Sequence, residues 1–146
     1  GMLAAGLKLP KEPCGVLLSL GRQDDKRAFI PYVRLLFDMG YTLYATTGTC
    51  SFFQENGSPS VALLHNAVTQ RRPNVTSAIQ EGVIKMVITT PSSRESGGAT
   101  AGYFLRRKAL DSGCALLVDL RQAMMLVDAL YQKMNVEKAG GAFWTI

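Results

Sequence analysis

Short apolar runs alternate with helically spaced apolar positions along most of the chain, and Gly, Thr, Ser or Pro marks each change of period. Continuous apolar or β-branched runs at Gly15–Leu20, Tyr41–Thr46, Val61–Leu64, Val83–Ile88 and Ala115–Val118 predict strands buried on both faces. Between the first two runs, Ile30, Val33, Leu35, Leu36, Phe37 and Met39 recur at helical spacing, with Asp24 or Asp25 as the cap and Gly40 as the stop. Further helices are predicted at Ser51–Asn56, Val75–Glu81, Thr100–Ser112 and Arg121–Met134, the first three closed by Gly57, Gly82 and Gly113. Strand and helix in strict alternation predict an α/β protein: a three-layer α/β/α sandwich, doubly wound around a five-stranded parallel sheet.

Two segments fall outside this rhythm. Residues 1–14 carry two prolines and read as a linker, and residues 135–146 contain a Gly-Gly break and the single tryptophan, Trp144, and read as a tail. Residues 15–134 form the domain proper. The chain has 146 residues, is 47% hydrophobic and only 18% charged, which excludes a disordered or fibrous protein. Sixteen basic against 11 acidic residues give +5, an excess that suits a small phosphorylated ligand as well as any larger polyanion. A nucleic-acid module would interleave its aromatics with Lys and Arg on one surface, whereas most of these aromatics fall at core-like positions in the strand and helix patterns.

No apolar run approaches the roughly 18 residues needed to span a bilayer, and no secretory signal opens the chain. Three widely spaced cysteines, Cys14, Cys50 and Cys114, form no CxxC pair, so reduced thiols in a cytoplasmic setting are expected rather than disulfides or zinc. The lone His65 leaves no partner set for a metal and little equipment for a hydrolytic triad.

Open parallel sheets bind ligands beyond the carboxyl ends of their strands. Those ends carry Ser19, then Thr46-Thr47-Gly48-Thr49, then Thr89-Thr90-Pro91-Ser92, with Lys26 close behind the first strand. Unpaired N–H groups at a helix start, a glycine that admits an anion, threonine hydroxyls and an amine together make a phosphate cradle. Against this, the threonines could simply cap a helix and fill β positions. No GxGxxG follows the first strand, and Gly97 to Gly102 has P-loop spacing without the Lys and Ser/Thr that must follow. The run Arg106-Arg107-Lys108 reads as a solvated basic face, and His65, at the end of the third strand, as a structural histidine near the cradle.

The succession Leu18-Ser19, Asp25-Lys26-Arg27, Gly40 to Thr49, Arg72-Pro73, Val87 to Ser92 and Tyr103-x-Leu105-Arg106-Arg107-x-Ala109 resembles the methylglyoxal synthase-like domain, in the form found at the C-terminus of the carbamoyl phosphate synthase large subunit. Residues 4–10 are similar to the connector that joins the preceding synthetase domain to it. The resemblance implies an allosteric domain that binds a phosphorylated effector and controls carbamoyl phosphate synthesis for pyrimidine production. It implies a phosphate-binding lysine at Lys26, pocket threonines at Thr46 and Thr49, and a strand-four motif over Thr89 to Ser92. The effector phosphate is then expected at Ser19, Lys26 and Thr46 to Thr49, with base or ribose against Thr89, Thr90, Ser92, His65 and Asn66.

Departures from the family pattern narrow the effector. Thr89 replaces an asparagine, and Asn66-Ala67 lacks the lysine of bacterial nucleotide-binding members. The tryptophan of the N-acetylglutamate type is absent from that region. UMP or UTP is therefore expected in preference to IMP or N-acetylglutamate, with the synthetase domains as partners and neither nucleic acid nor membrane. No cofactor is expected here, since ATP and magnesium belong to the synthetase domains. The rival expectation is a methylglyoxal synthase-type lyase acting on dihydroxyacetone phosphate. It needs a carboxylate base beside the phosphate, and none lies between Thr89 and Arg94.

Overall fold

Side chains on successive strand residues point to opposite faces, so an apolar run buried on both sides needs a helical layer over each. In the computed structural model, which describes residues 9–58, 60–66, 71–91 and 101–139, the runs become β1 (Gly15–Ser19), β2 (Thr42–Ala45), β3 (Ala62–Leu63), β4 (Ile84–Thr89) and β5 (Ala115–Leu117). The helices are α1 (Gln23–Asp38), α2 (Thr47–Glu55), α3 (Val75–Gln80), α4 (Ala101–Asp111) and α5 (Leu120–Lys138). All pairings are parallel, in the order β3-β2-β1-β4-β5. The chain thus winds outward from β1 to β3, returns to β4 on the other side of β1, and ends at β5. Winding reverses between β1 and β4, where a crevice opens beyond the strand ends.

Val16 and Leu18 face one side and join Phe29, Val33 and Leu36 of α1, Phe53 of α2, and Leu126 and Val127 of α5 in one core. Leu17 and Val87 face the other, against Val75 and Ile79 of α3 and Leu105 and Ala109 of α4. Ile84 belongs to this second core because the β1–β4 register shifts between Gly15 and Val16, a bulge that re-aims the side chain.

Several boundaries differ from the sequence expectation. α1 is entered from Arg22, and Asp24 and Asp25 lie inside its first turn, where a carboxylate meets the positive end of the helix dipole, instead of capping it. α2 starts at Thr47 and not Ser51, which brings Gly48 and Thr49 into its first turn. α5 continues to Lys138, so the opening of the segment expected as a tail is helical. Gly40 closes α1 at φ +97° and Gly113 closes α4 at φ +74°, a left-handed conformation that a Cβ disfavours. Residues 1–8 of the expected connector, Ser92, Thr100, and the tail from 140, including Trp144, lie outside the described residues. Within the connector, Leu9 and Cys14 pack on the core beneath α1 and α5.

Cys14, Cys50 and Cys114 are all free. Burial pushes each thiol above its ordinary range, so they pack as small apolar groups rather than thiolates. Among the described residues, no helix is long and apolar enough to cross a membrane.

Candidate functional site

Register alone assembles the first part of the site. Ser19 pairs with Thr89, and Leu18 with Ala45, so Thr46 follows opposite Ser19. The ladder is carried past the strand ends by Thr46 N–H donating to Leu18 O at 3.2 Å and Thr90 N–H donating to Ser19 O at 3.1 Å. Thr46, Ser19 and Thr89 therefore form a row of hydroxyls across three adjacent strands at the carboxyl rim. Thr46 Oγ1 lies 3.0 Å from Ser19 Oγ. A hydroxyl pair shares one proton and keeps the other, so this pair retains a donor for a ligand.

The second part comes from helix starts. Thr46 is the N-cap of α2, yet its side chain makes no capping bond because its hydroxyl is turned onto Ser19. The first-turn N–H groups at Thr47, Gly48 and Thr49 are left without a capping side chain, and Thr47 and Gly48 are exposed. Across from them stands Lys26, one turn into α1: a methyl group placed on Gly48 would lie 3.7 Å from Lys26 Nζ. An ammonium facing an open helix N-terminus, with no side chain between, fits a phosphate-sized anion. Among the described residues Lys26 has no carboxylate partner.

Thr49 and Thr90 are placed differently. Thr49, only 3% exposed, accepts the Leu20 N–H at 3.1 Å and donates to the Leu20 carbonyl at 3.2 Å. Its single proton is engaged, so this hydroxyl holds the β1–α1 loop against α2. Thr90 accepts the N–H of Gly21 at 3.2 Å and holds the same loop from β4. Replacing Thr49 by Val keeps the shape and strands two buried backbone groups, which is expected to cost about 1–3 kcal/mol, with Thr49→Ser closer to wild type. Urea unfolding of the two variants checks this, and a Thr49→Val chain as stable as wild type would remove the loop-holding role.

His65 and Asn66 sit at the tip of β3, one strand beyond Thr46. His65 is fixed through its backbone, accepting from Val75 N–H at 2.8 Å and donating to Pro73 O at 2.7 Å. Asn74, the N-cap of α3, donates through Nδ2 to Asn66 O at 3.1 Å. The Asn66 side-chain oxygen is buried with no hydrogen-bond partner among the described residues. A buried acceptor without a donor is costly unless something supplies one. The basic run on α4 includes Arg107 paired with Asp111 at 3.5 Å on an exposed face, a solvated arrangement.

On the other side of β1, a cavity of about 480 Å³ lies at the tips of β1, β4 and β5 and is lined by Arg22, Asp25, Thr90 and Arg121 among others. Sequence reasoning passed over Arg121 and did not place Arg22 in a site. The usable signal was position: each sits at the helix start that follows a strand.

A family model described as an MGS-like domain matches residues 28–117. The chain is 37% identical over 128 residues to a carbamoyl phosphate synthase large chain of Archaeoglobus fulgidus, covering 88% of this chain and 11% of that protein. It is 33% identical over 143 residues to the multifunctional protein CAD of Squalus acanthias, covering 88% and 6%. It is 29% identical over 128 residues to the C-terminal section of the carbamoyl phosphate synthase large chain of Methanocaldococcus jannaschii, covering 88% and 20%. The chain therefore spans a fifth or less of the length of these relatives. The crystal structure of methylglyoxal synthase from Elizabethkingia anophelis shares the fold, with a TM-score of 0.59 at 15% identity over 79% of this chain and 77% of that one.

Proposed function

The chain belongs to the MGS-like domain family, and from that premise we propose that it is the effector-binding regulatory domain of a carbamoyl phosphate synthase, taking a uridine nucleotide and controlling carbamoyl phosphate synthesis for pyrimidines. The observation that carries this reading is Lys26 facing Gly48 at the uncapped start of α2. The effector phosphate occupies that gap, with the Ser19–Thr46 hydroxyl pair donating to it. The ribose and base run along the rim from Thr46 toward β3, where an N–H of the base meets the unpartnered Asn66 oxygen. The domain holds no cofactor of its own, ATP and magnesium acting in the synthetase domains.

Binding without turnover is supported by what the described residues place in the gap: hydroxyls, backbone N–H groups and one ammonium, with no carboxylate paired to the Lys26 amine. For regulation, the ligand must favour one arrangement of this domain against the synthetase body. β1 offers a direct link, since it follows immediately on the connector residue Cys14 and ends at Ser19.

A thermal-shift panel tests the assignment. At a hundredfold excess over its Kd a ligand adds about 2.7 kcal/mol, or roughly 8 °C for a chain of this size. UMP or UTP is expected to give such a shift, IMP and N-acetylglutamate less, and dihydroxyacetone phosphate no methylglyoxal. A UMP or UTP shift that persists in Lys26→Ala would displace the site, and release of methylglyoxal would establish the lyase instead.

A further inference from the structure

We infer that residues 142–146, Ala-Phe-Trp-Thr-Ile, dock back along α5 into the groove between that helix and the connector, and so hold the connector against the domain. The inference is independent of the effector site, which lies at the other end of the strands.

The groove, of about 610 Å³, sits where the strands begin. The connector supplies Leu9 and Pro10, the turn between α1 and β2 supplies Met39 and Tyr41, and α5 supplies Leu130 and Met134. Met39 and Tyr41 are buried, whereas Leu9, Leu130 and Met134 are only partly covered. Cover decreases along one stripe of α5. Leu126 is 4% exposed, while Leu130 and Met134, one and two turns further on, still present apolar surface. Charges stand at the rim in equal number, Lys11 and Lys133 against Glu12 and Glu137, so the groove suits an apolar occupant and not an ion.

Chain length and composition name that occupant. α5 ends at Lys138 with Ala139 as its C-cap, and Glu137 in its last turn borders the groove, so the chain leaves the helix at one end of it. Gly140 and Gly141 follow, and glycine just past a helix end is the residue that turns a chain back on itself. Beyond them stand Phe143, Trp144 and Ile146, three large apolar residues in a run of five that carries no charge. Five residues span roughly 17 Å when extended, and the α5 wall from Leu130 to Glu137 runs about 10 Å. The segment is thus long enough to follow the groove along this wall. Its two aromatic side chains each remove about 150–250 Å² from water when buried, which supplies the drive for docking.

One wall of the groove is α5 and another is the connector at Leu9 and Pro10. A segment seated between them fastens the connector shortly before it enters β1.

Trp144 is the only tryptophan of the chain, so the intrinsic fluorescence of the 146-residue protein reads the surroundings of this segment without a label. Docking predicts blue-shifted emission and acrylamide quenching severalfold slower than that of free N-acetyltryptophanamide, both independent of protein concentration. Met134→Lys and Leu9→Asp, on different walls, should each shift the emission to the red and restore fast quenching. Neither residue is fully buried, so both variants should keep the fold, which circular dichroism checks. Val136→Lys, on α5 but outside the groove, should change nothing. A chain ending at Gly141 should melt about 5 °C lower, and the same truncation in Met134→Lys should lower it less, since both changes act on one contact. Trypsin should cut the shortened chain after Lys11, an exposed connector residue, severalfold faster than the full one. Red, freely quenched emission from the unaltered chain overturns the inference. Blue-shifted emission that neither wall variant alters places the segment elsewhere and overturns it too, as does a blue shift that grows with concentration, which makes the occupant a second copy. Equal cutting of the two chains would overturn the hold on the connector.

Discussion

Gly48→Asp is expected to weaken binding of any phosphate-bearing ligand by a hundredfold or more while leaving the unliganded fold as stable as wild type. Among the described residues, and apart from its chain neighbours and its own helix backbone, the only atom within 4 Å of a Cβ at this position is Lys26 Nζ, at 3.7 Å, an ordinary contact with the mobile end of a side chain. A carboxylate there sits in the first turn of α2, where the helix dipole favours it, and pairs with Lys26. It fills from within the place that the effector phosphate would take, and it repels what remains. Loss of one or two charge-assisted hydrogen bonds alone amounts to about 2–4 kcal/mol. Gly48→Ala separates charge from size, since its methyl group takes part of the same gap without adding a charge and should weaken binding less than Asp does. Titration with UMP or UTP, alongside the melting temperature without ligand, reads both halves of the expectation. An Asp variant that binds as well as wild type would move the phosphate away from α2.

The largest stability effect is expected at the other end of β1. A Cβ on Gly15 would run into the backbone carbonyl of Val83 and stand 3.4 Å from the Tyr44 ring. Val83 leads into β4, and β1 and β4 are the central pair of the sheet, held between helices on both faces. The obstacle is backbone on a strand whose register is already shifted at this point, so a flexible side chain cannot absorb it. Gly15→Ala is expected to lose about 3 kcal/mol, near the upper end for overpacking, and roughly 8 °C in melting temperature. Gly15→Val should fail to accumulate as folded protein. Guanidinium unfolding of Gly15→Ala decides the matter, and a loss under about 0.5 kcal/mol would show that the β1–β4 start can open to admit a methyl group.

Gly15 also shows where sequence reading stops. In the sequence it is merely the first residue of a strong apolar run, and a glycine there looks replaceable. Its necessity comes from Val83, which lies far away along the chain and reaches it only through the order of strands. Thr49 is a similar case. Its place in Thr46 to Thr49 marks it as a ligand donor, but folding brings Leu20 against it and engages its proton. Arg121 gives the converse: nothing local distinguishes it from other exposed arginines, and only the return of β5 beside β4 brings it to the crevice with Arg22.

By itself, the sequence determined which segments are strands and helices, because burial on two faces writes a continuous apolar run and burial on one face writes a helical period. It also determined the helix stops at Gly40 and Gly113, whose positive φ is a local backbone property, and the gathering of hydroxyls at strand ends. Tertiary structure alone decided which hydroxyls remain available, that Lys26 faces Gly48, and that two arginines share a cavity. These depend on strand order and register, which bring together residues distant in sequence, and no local pattern encodes the partner that a side chain will meet across the sheet.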